Sequence, residues 1–350
     1  MRILVTGGCG FIGSNFVRHL LKEHPEDEIV NLDLLTYAGN PENLNDVEAD
    51  FRDRYRFVQG DICDPEAVGP LVAEAGAVVH FAAESHVDRS IEDPQEFVRT
   101  NVMGTQNLLH AARQAWADDG SCRFVCISTD EVYGALRLDD PRRFDEDWPL
   151  DPRSPYSASK AAADHLARAY AHTYGLKVMV TRCSNNYGPF QFPEKLIPLM
   201  ILNTLQGREL PVYGDGLYVR DWIYVLDNCR ATDLVLRKGR PGQVYNIGGN
   251  SERPNLEVVE EIIQLVCSKK GMEYKKRREL IRHVKDRPGH DRRYAIEAGK
   301  AASELGFNPA VTFAQGLELT VEWYLNNPEW IQRVSSGAYR EYYRRMYEGR

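Results

Sequence analysis

The feature that most constrains this fold is a glycine-rich turn that directly follows the first apolar run. The run Arg2–Thr6 leads into Gly7, Gly10 and Gly13. This spacing lets the backbone turn tightly, approach a pyrophosphate closely and pack the following helix onto the strand. A second apolar run ends in Asp33, twenty residues after Gly13, at the place where a carboxylate bonds ribose hydroxyls. Because Asp33 would repel a 2′-phosphate, the pattern predicts NAD rather than NADP as the cofactor.

Strand-like and helical segments alternate along the first half of the chain, which is typical of a doubly wound parallel sheet. The further strand-like runs lie at 56–59, 77–82, 123–128 and 178–182. We therefore predict an α/β fold, with a Rossmann-like doubly wound parallel sheet and a smaller C-terminal α/β substrate-binding domain. We assign residues 1–184 to the NAD-binding domain, with a strand near 243–249 completing the sheet, and residues 185–350 mainly to substrate binding.

Length and composition bound the class of protein. With 350 residues, of which 43% are hydrophobic, the chain exceeds one ordinary domain and can bury a sizeable core. A net charge of -8 argues against a broad nucleic-acid-binding surface. Apolar stretches stay shorter than the ~18 residues of a membrane span, and the chain begins directly with a strand, so we expect a cytoplasmic protein without a membrane partner. Seven cysteines without a CxxC pair predict no metal site.

Two short motifs carry the candidate chemistry. Thr129, Asp130 and Glu131 follow an apolar run, while Tyr156 and Lys160 are four residues apart and so lie on one helix face. A nearby cation stabilises phenolate, so we expect the lysine to lower the tyrosine pKa from its usual ~10 towards a value suited to taking an alcohol proton. Adjacent carboxyls resist joint ionisation, so one can act as acid and the other as base. Together the motifs predict alcohol oxidation, loss of water next to the new carbonyl and return of the hydride.

For some polar residues, the sequence is compatible with either a functional or a structural role. Asp61 either bonds the adenine side of the cofactor or serves as a turn residue or helix cap before Pro65. His86 is better explained as a structural histidine at a strand end than as an acid or base, because the cycle already has both. The basic run 269–278 is interpreted as a solvated surface segment.

Nine motifs, spread over the whole chain, form one pattern. They are Thr6–Gly13, Leu35–Asn40, Ala82–Ser90, Ser128–Gly134, Ser154–Lys160, Cys183–Pro189, Phe192–Pro198, Arg220–Trp222 and Asp286–Tyr294. In carrying them, the chain closely resembles the dTDP-glucose 4,6-dehydratases of the extended short-chain dehydrogenase/reductase superfamily. Generic members of that superfamily share the glycines and the Tyr–Lys pair but lack the C-terminal motifs. Cys9 and a short stretch at 135–153 depart mildly from the family pattern.

The resemblance implies a role for each catalytic candidate. Tyr156 removes the proton of the sugar 4-hydroxyl while hydride leaves C4 for NAD, and Lys160 bonds the nicotinamide ribose and poises the tyrosine. Glu131 abstracts the C5 proton, which the new 4-keto group has acidified, and Asp130 protonates the departing 6-hydroxyl. Hydride then returns to C6, which leaves a 4-keto-6-deoxy sugar and the original NAD. Thr129 bonds the 4-oxygen.

Further positions are expected by the same resemblance to contact cofactor or substrate. The cofactor-side residues are Gly7, Gly10, Phe11, Ile12, Gly13, Asp33, Leu34, Leu35, Thr36, Asp61, Ile62, Phe81, Ala82, Ala83, Ser85, Thr100, Tyr156, Lys160 and Asn186. The substrate-side residues are Ser85, Thr129, Glu131, Asn185, Lys195, Leu196, Pro211, Tyr213, Arg220, Asn255, Arg287, His290 and Tyr347. Cations among them suit a nucleoside diphosphate, since arginine offers bidentate contacts to phosphate. Taken singly, each cation is as compatible with an exposed surface position.

Other functions stay open. A nucleotide-sugar 4-epimerase shares the glycines and the Tyr–Lys pair but needs no carboxyl pair, and a nucleotide-sugar decarboxylase needs a substrate carboxylate at C5. A redox-sensing protein could keep the NAD site without chemistry. Thymidine and glucose rest on the resemblance, and 4,6-dehydratases of GDP-mannose or CDP-glucose run similar chemistry. The resemblance also implies a homodimer, formed through a helix bundle that includes the helix of Tyr156 and Lys160.

Overall fold

Seven parallel strands form the central sheet, and six of them come from the first 184 residues. The computed structural model describes residues 1–117 and 120–335, so the predicted contact Tyr347 lies outside the described residues. The strands are β1 (Arg2–Thr6), β2 (Glu28–Asp33), β3 (Tyr55–Gln59), β4 (Ala77–His80), β5 (Arg123–Thr129), β6 (Val178–Cys183), β7 (Asn185–Tyr187), β8 (Leu210–Tyr213), β9 (Val219–Tyr224), β10 (Val244–Ile247), β11 (Glu252–Pro254) and β12 (Ile281–Val284). The order β10-β6-β5-β4-β1-β2-β3, parallel throughout, confirms the predicted fold class.

Helices connect the strands and cover both faces of the sheet. They are α1 (Phe11–Glu23), α2 (Asn45–Asp50), α3 (Pro65–Ala73), α4 (Val87–Glu92), α5 (Pro94–Phe97), α6 (Thr105–Ala115), α7 (Pro155–Tyr174), α8 (Leu196–Gln206), α9 (Val225–Lys238), α10 (Asn255–Lys270), α11 (Tyr274–Arg278), α12 (Gly299–Leu305), α13 (Phe313–Asn326) and α14 (Pro328–Val334). Single turns of 3-10 helix occur at Pro41–Leu44 and Asp130–Tyr133, and a π-helical turn occurs at Val98–Gly104.

The strand sequences explain why helices lie on both sides. In β1, Ile3 and Val5 belong to the core that α1 and α9 share, whereas Leu4 belongs to the core that α3, α6 and α7 share. A parallel strand that is buried on both faces needs apolar residues at successive positions. Each fully buried aliphatic side chain contributes about 1.5–3 kcal/mol relative to an exposed one.

Local sequence fixes the start of α7, the helix that carries Tyr156. Ser154 caps it: its hydroxyl accepts the backbone N–H of Ser157 at 3.0 Å, and the Ser157 hydroxyl accepts the N–H of Ser154 at 3.0 Å. Pro155 occupies the first helical position, where its lack of an N–H costs nothing. Gly175 ends the helix in the left-handed conformation with φ 69°. The Ser154 cap at the other end contributes about 1 kcal/mol to helix stability, and it holds the first helical turn in place.

The C-terminal part adds two small sheets and a separate apolar core. One sheet has the order β11-β9-β7 and the other pairs β12 with β8. Helices α8, α10 and α13 pack together through residues such as Met200, Ile262 and Leu317. Strand β10 leaves this part and pairs with β6 at the edge of the main sheet. The segment 135–153 packs against the residues before α12: the Phe144 N–H donates to the carbonyl of Ala295 at 2.8 Å.

Within the described ranges, the chain contains no helix of the length and apolar character that crossing a membrane requires.

Candidate active site

A cavity of about 300 Å³ opens at the carboxyl ends of the parallel strands. From β1 the chain builds the sheet first to one side, through β2 and β3, and then to the other, through β4 and β5. The cavity lies at this switch point, where open α/β sheets bind ligands. The predicted site residues that line it are Gly7, Gly10, Phe11, Ile12, Gly13, Asp33, Leu34, Thr36, Asp61, Ile62, Phe81, Ala82, Ala83, Ser85, Thr100, Thr129, Asp130, Glu131, Tyr156, Lys160, Asn185, Asn186 and Lys195.

The glycine-rich turn has no room for side chains. A Cβ on Gly13 would lie 2.2 Å from the carbonyl oxygen of Gly7. Gly7 itself has φ +73°, and a Cβ there would lie 2.6 Å from the backbone nitrogen of Ala82. Helix α1 begins directly after Gly10, so its N-terminal N–H groups face this bare backbone. Such a cradle fits the pyrophosphate of a dinucleotide.

Asp33 lies buried at the end of β2 and is held by two backbone groups. Its Oδ2 accepts the N–H of Cys9 and its Oδ1 accepts the N–H of Leu35, each at 2.9 Å. Burial nevertheless raises the pKa of this carboxyl. Leu35 has φ 60° and packs against the core behind the cavity, so it lines no part of it. A carboxyl fixed at this place suits ribose hydroxyls and disfavours a 2′-phosphate.

Asp61 is a turn residue in the cavity wall and not a helix cap. Its Oδ1 accepts the N–H of Cys63 at 2.8 Å, and its Oδ2 pairs with the guanidinium of Arg99. Burial raises its pKa, but these hydrogen bonds and the charge of Arg99 outweigh burial and leave the pKa lowered. The cap of α3 is Asp64, which accepts the N–H of Glu66 at 3.0 Å.

Thr129 organises the carboxyl pair where β5 ends. Its hydroxyl caps the 3-10 turn by accepting the N–H of Glu131 at 3.3 Å, and it donates to Oδ1 of Asp130 at 3.3 Å. Burial raises the pKa of the Tyr156 phenol, which lines the same cavity, and the Thr129 hydroxyl acts to lower it. The two predicted catalytic motifs therefore meet at Thr129.

The two carboxyls have different electrostatic surroundings. Burial first, then the charges of Glu131 and Asp221, raise the pKa of Asp130 well above its usual value. Burial also raises the pKa of Glu131, but Arg287, Arg220 and Lys195 oppose that shift. Asp130 is therefore the carboxyl whose protonated form is favoured, and Glu131 is the carboxyl whose anion is better stabilised.

The predicted effect of Lys160 on Tyr156 is wrong in this structure. Burial, followed by the negative charge of Glu131, raises the pKa of the phenol well above 10. The Lys160 ammonium donates instead to the carbonyl of Ile127 at 2.5 Å, and burial lowers its own pKa. The helical spacing places both residues at the cavity, but the carboxylates of Glu131 and Asp130 raise the pKa of the phenol.

Asn101 is a site feature that the sequence reasoning missed. It lies on the π-helical turn, a rare element that often occurs at functional sites. Its Oδ1 accepts the N–H of Glu84 at 2.9 Å, and its Nδ2 donates to the Ser159 hydroxyl at 2.8 Å. It thus ties the loop after β4 to α7. Nothing in the local sequence marks the turn, because its contacts span 17 and 58 residues.

A group of predicted substrate contacts lies beside the cavity around Asp88 of α4. Asp88 accepts hydrogen bonds from Tyr213 and Arg287, each at 3.2 Å. Lys195 lies at the cavity itself and donates to the Ser85 carbonyl at 3.0 Å. Asp88 was not among the predicted site residues, although it lies within a motif that carried the resemblance.

Arg220 and His290 complete this group. Arg220 donates to the carbonyl of Asp291 at 2.9 Å and lies over the ring of Tyr294, 4.2 Å from its centroid. His290 shares a hydrogen bond of 2.7 Å with Asp286. Burial and the nearby arginines lower the pKa of this histidine to about 3, so it is neutral.

Three further predicted substrate contacts do not line the cavity. Leu196 packs against the C-terminal core, Pro211 is buried within β8, and Asn255 begins α10, where its N–H donates to the carbonyl of Tyr218 at 2.9 Å. His86 is buried at the residue before α4, and its side chain makes no capping hydrogen bond to that helix. Burial lowers its pKa well below 6.5, as expected for a structural histidine.

Several buried polar atoms at the cavity have no hydrogen-bond partner among the described residues. They are Oδ2 of Asp130, Oδ1 of Asn185, Oδ1 of Asn186 and Oε1 of Gln191. Buried polar groups are ordinarily paired, so this cluster is consistent with a polar ligand that supplies the missing partners. The cavity wall also includes Tyr37, Glu84, Phe192 and Glu194, which the sequence analysis gave no role.

The fold and the site together define an enzyme of the extended short-chain dehydrogenase/reductase class. The family described as GDP-mannose 4,6 dehydratase matches residues 4–320. A dTDP-glucose 4,6-dehydratase of Xanthomonas campestris pv. campestris (strain B100) is 54% identical over 345 residues, covering 96% of this chain and 97% of that protein. The chain belongs to this family of nucleotide-sugar 4,6-dehydratases.

Solved structures show the same relationship. The dTDP-glucose 4,6-dehydratase of Bacillus anthracis in complex with NAD is 49% identical and superposes with a TM-score of 0.85, covering 95% of this chain and 99% of that chain. The UDP-glucose 4-epimerase of Thermus thermophilus in complex with NAD is 33% identical with a TM-score of 0.82, covering 93% of this chain and 100% of that chain. The fold alone therefore does not separate dehydration from epimerisation.

Proposed function

We propose that this protein converts dTDP-glucose into dTDP-4-keto-6-deoxyglucose and water, with NAD as its cofactor. The observation that carries the proposal is that the Asp130–Glu131 pair and the Tyr156–Lys160 pair line one cavity. An enzyme that only oxidises and re-reduces C4 has no use for an acid and a base beside the phenol.

The glycine cradle and Asp33 hold the cofactor in this proposal, and Lys160 bonds its nicotinamide ribose. NAD supplies the hydride acceptor and, once reduced, the hydride donor. Tyr156 takes the proton of the 4-hydroxyl. Because burial raises its pKa, the phenolate needs positive charge nearby. Lys160 lines the same cavity, and bound NAD would add the positive charge of its nicotinamide ring.

Elimination of water then falls to the carboxyl pair. The carbonyl formed at C4 acidifies the C5 proton, and Glu131, flanked by three cations, takes it. Asp130 starts protonated because of burial and like charge, and it gives its proton to the leaving 6-hydroxyl. General acid–base steps of this kind contribute about 10²–10⁴-fold each.

The diphosphate is assigned to the cations beside the cavity. Lys195, Arg220 and Arg287 provide positive charge, and arginine matches phosphate geometry through paired N–H groups. Tyr213 and Arg287 both donate to Asp88, which holds these two side chains next to each other beside the cavity. We assign NAD binding to residues 1–184 together with β10, and binding of the nucleotide-sugar substrate mainly to residues 185–350.

The proposal includes a cytoplasmic homodimer. Its support is an exposed apolar surface next to α7: Val98 is 51% exposed and Met103 59% exposed on the π-helical turn, which packs against α7. Burying such side chains against a second copy removes apolar area from water.

Mass spectrometry of the sugar nucleotide tests the proposal. Purified protein is incubated with dTDP-glucose without added reductant in partly deuterated water. Loss of one water, with solvent deuterium at C5, is the expected result. An unchanged mass with inversion at C4 would instead assign the chain as a 4-epimerase. Turnover of UDP-, GDP- or CDP-glucose in preference to dTDP-glucose would reassign the nucleotide.

A further inference from the structure

A buried polar cluster behind the cavity joins the two catalytic motifs. Arg182 of β6, 1% exposed, donates from Nε and Nη2 to the two carboxylate oxygens of Asp164 at 2.7 and 3.1 Å. Its Nη1 donates to the hydroxyl of Tyr133 at 2.8 Å. Asp164 lies on α7 one helical turn after Lys160, and Tyr133 lies two residues after Glu131. One guanidinium therefore connects the helix of the Tyr–Lys pair with the turn of the carboxyl pair.

Tyr133 is held from its other side as well. Its hydroxyl donates to Oδ1 of Asn246 at 2.7 Å, and the Asn246 Nδ2 donates to the carbonyl of Phe144 at 2.9 Å. The ring of Tyr133 stacks on that of Phe144 with centroids 5.0 Å apart. The hydroxyl thus both donates and accepts, which leaves it one defined orientation.

The carboxyl-bearing turn needs such an anchor because it is short. It comprises four residues, Asp130–Tyr133, and ends at Gly134 with φ 84°. A single 3-10 turn has little rigidity of its own. The Asp130 carboxyl hydrogen-bonds to Thr129 alone among the described residues, and the Glu131 carboxylate makes no hydrogen bond among them. Helix α7, in contrast, has twenty residues and a capping box.

We propose that Tyr133 and Arg182 are positioning residues that hold the Asp130–Glu131 turn in register with α7, and thereby set the rate of water elimination without setting the rate of the oxidation that precedes it. The inference rests on the proposed function. Oxidation at C4 depends on Tyr156 and Lys160, which share one rigid helix. Elimination additionally requires the turn to meet the same sugar at a fixed distance, and misplacement by about 1 Å can cost about 10²-fold.

Tyr133→Phe tests this assignment with little risk to folding. The substitution keeps the ring stacked on Phe144, and Arg182 keeps Asp164 and the carbonyl of Glu146 at 3.3 Å. The matched control is Tyr245→Phe on β10. Tyr245 is the residue before Asn246 and is also buried, but its hydroxyl contacts Glu304 at 3.0 Å, on the face of the sheet away from the turn.

The two variants and the unaltered enzyme are mixed with dTDP-glucose, and reduced nicotinamide and product are followed in a single turnover. In Tyr133→Phe we expect reduction of NAD at an unaltered rate and elimination slowed about tenfold, so that reduced cofactor accumulates. In Tyr245→Phe we expect no accumulation. Equal slowing of both steps in Tyr133→Phe, no change in either, or the same accumulation in both variants would overturn the proposal. Failure of the unaltered enzyme to form a 4-keto-6-deoxy product would refute the proposed function itself.

Discussion

Asp130 and Glu131 are consecutive residues of one buried turn, yet the charges that follow burial in setting their pKa values have opposite signs. The carboxylates of Glu131 and Asp221 disfavour ionisation of Asp130, whereas Arg287, Arg220 and Lys195 favour ionisation of Glu131. The difference between acid and base therefore arises from neighbours contributed by β9, the loop before α8 and the loop after β12.

Glu131→Gln removes the base while keeping side-chain size and hydrogen bonding. We expect the variant to bind dTDP-glucose and to reduce its NAD, and then to stall, with product formation lowered at least about 10²-fold. The absorbance of reduced nicotinamide, measured after mixing with substrate, reports the stall. The control is Glu318→Gln, the same chemical change on the surface, where Glu318 pairs with Lys269. Ordinary turnover by Glu131→Gln would remove Glu131 from the mechanism.

Tyr156→Phe blocks an earlier step. Without the phenol, the 4-hydroxyl keeps its proton, so we expect little reduced nicotinamide as well as little product, in contrast to Glu131→Gln. The same absorbance measurement separates the two variants. Equal accumulation of reduced cofactor in both would mean that the phenol is not the proton acceptor in the oxidation.

We expect protonation of Glu131 to set the acid limb of the pH profile of kcat. Because its pKa is raised, it takes up a proton as pH falls through a value above the usual ~4.3, and the neutral acid is no base. Arg220→Gln removes a cation that favours the anion, so we expect the acid limb of kcat to move to higher pH. Arg292→Gln, which alters an exposed pair with Asp215, should leave it in place. Initial rates at saturating substrate provide the test, and a limb that Arg220→Gln leaves unmoved would count against this electrostatic account.

Gly13→Ala tests the dinucleotide cradle. The new Cβ would lie 2.2 Å from the carbonyl oxygen of Gly7, so we expect loss of NAD binding and destabilisation by about 2 kcal/mol. Gly69→Ala is the control. It lies within α3 with no atom within 4 Å of its Cβ position, so it should stabilise the helix by about 0.5–1 kcal/mol. Bound nucleotide and denaturant unfolding are measured for both. Full NAD content in Gly13→Ala would contradict the predicted cradle.

The parts of the fold that depend on local sequence were predictable. Continuous apolar runs such as Ile3–Val5 mark strands buried on both faces, and the steric need for glycine at Gly13 comes from Gly7 and Gly8 a few residues earlier. The spacing of Tyr156 and Lys160 likewise follows from helix geometry. Each of these features needs only a short window of sequence.

The electrostatics of the site could not be predicted in the same way. The pKa of Tyr156 depends on how completely the cavity buries it and on which charges meet there, and neither is encoded in the helix itself. Asp88 contacts Tyr213 and Arg287 across 125 and 199 residues of sequence. Pro211 and Asn255 follow the family pattern, yet neither residue lines the cavity.

In the proposed reaction, the hydride taken from C4 returns to C6 of the same sugar. Its transfer is followed with dTDP-glucose that carries deuterium at C4, by mass spectrometry and NMR of the product. We expect a 4-keto-6-deoxy sugar with the deuterium at C6. Deuterium still at C4 in a C4-inverted sugar, or deuterium lost to solvent, would contradict it.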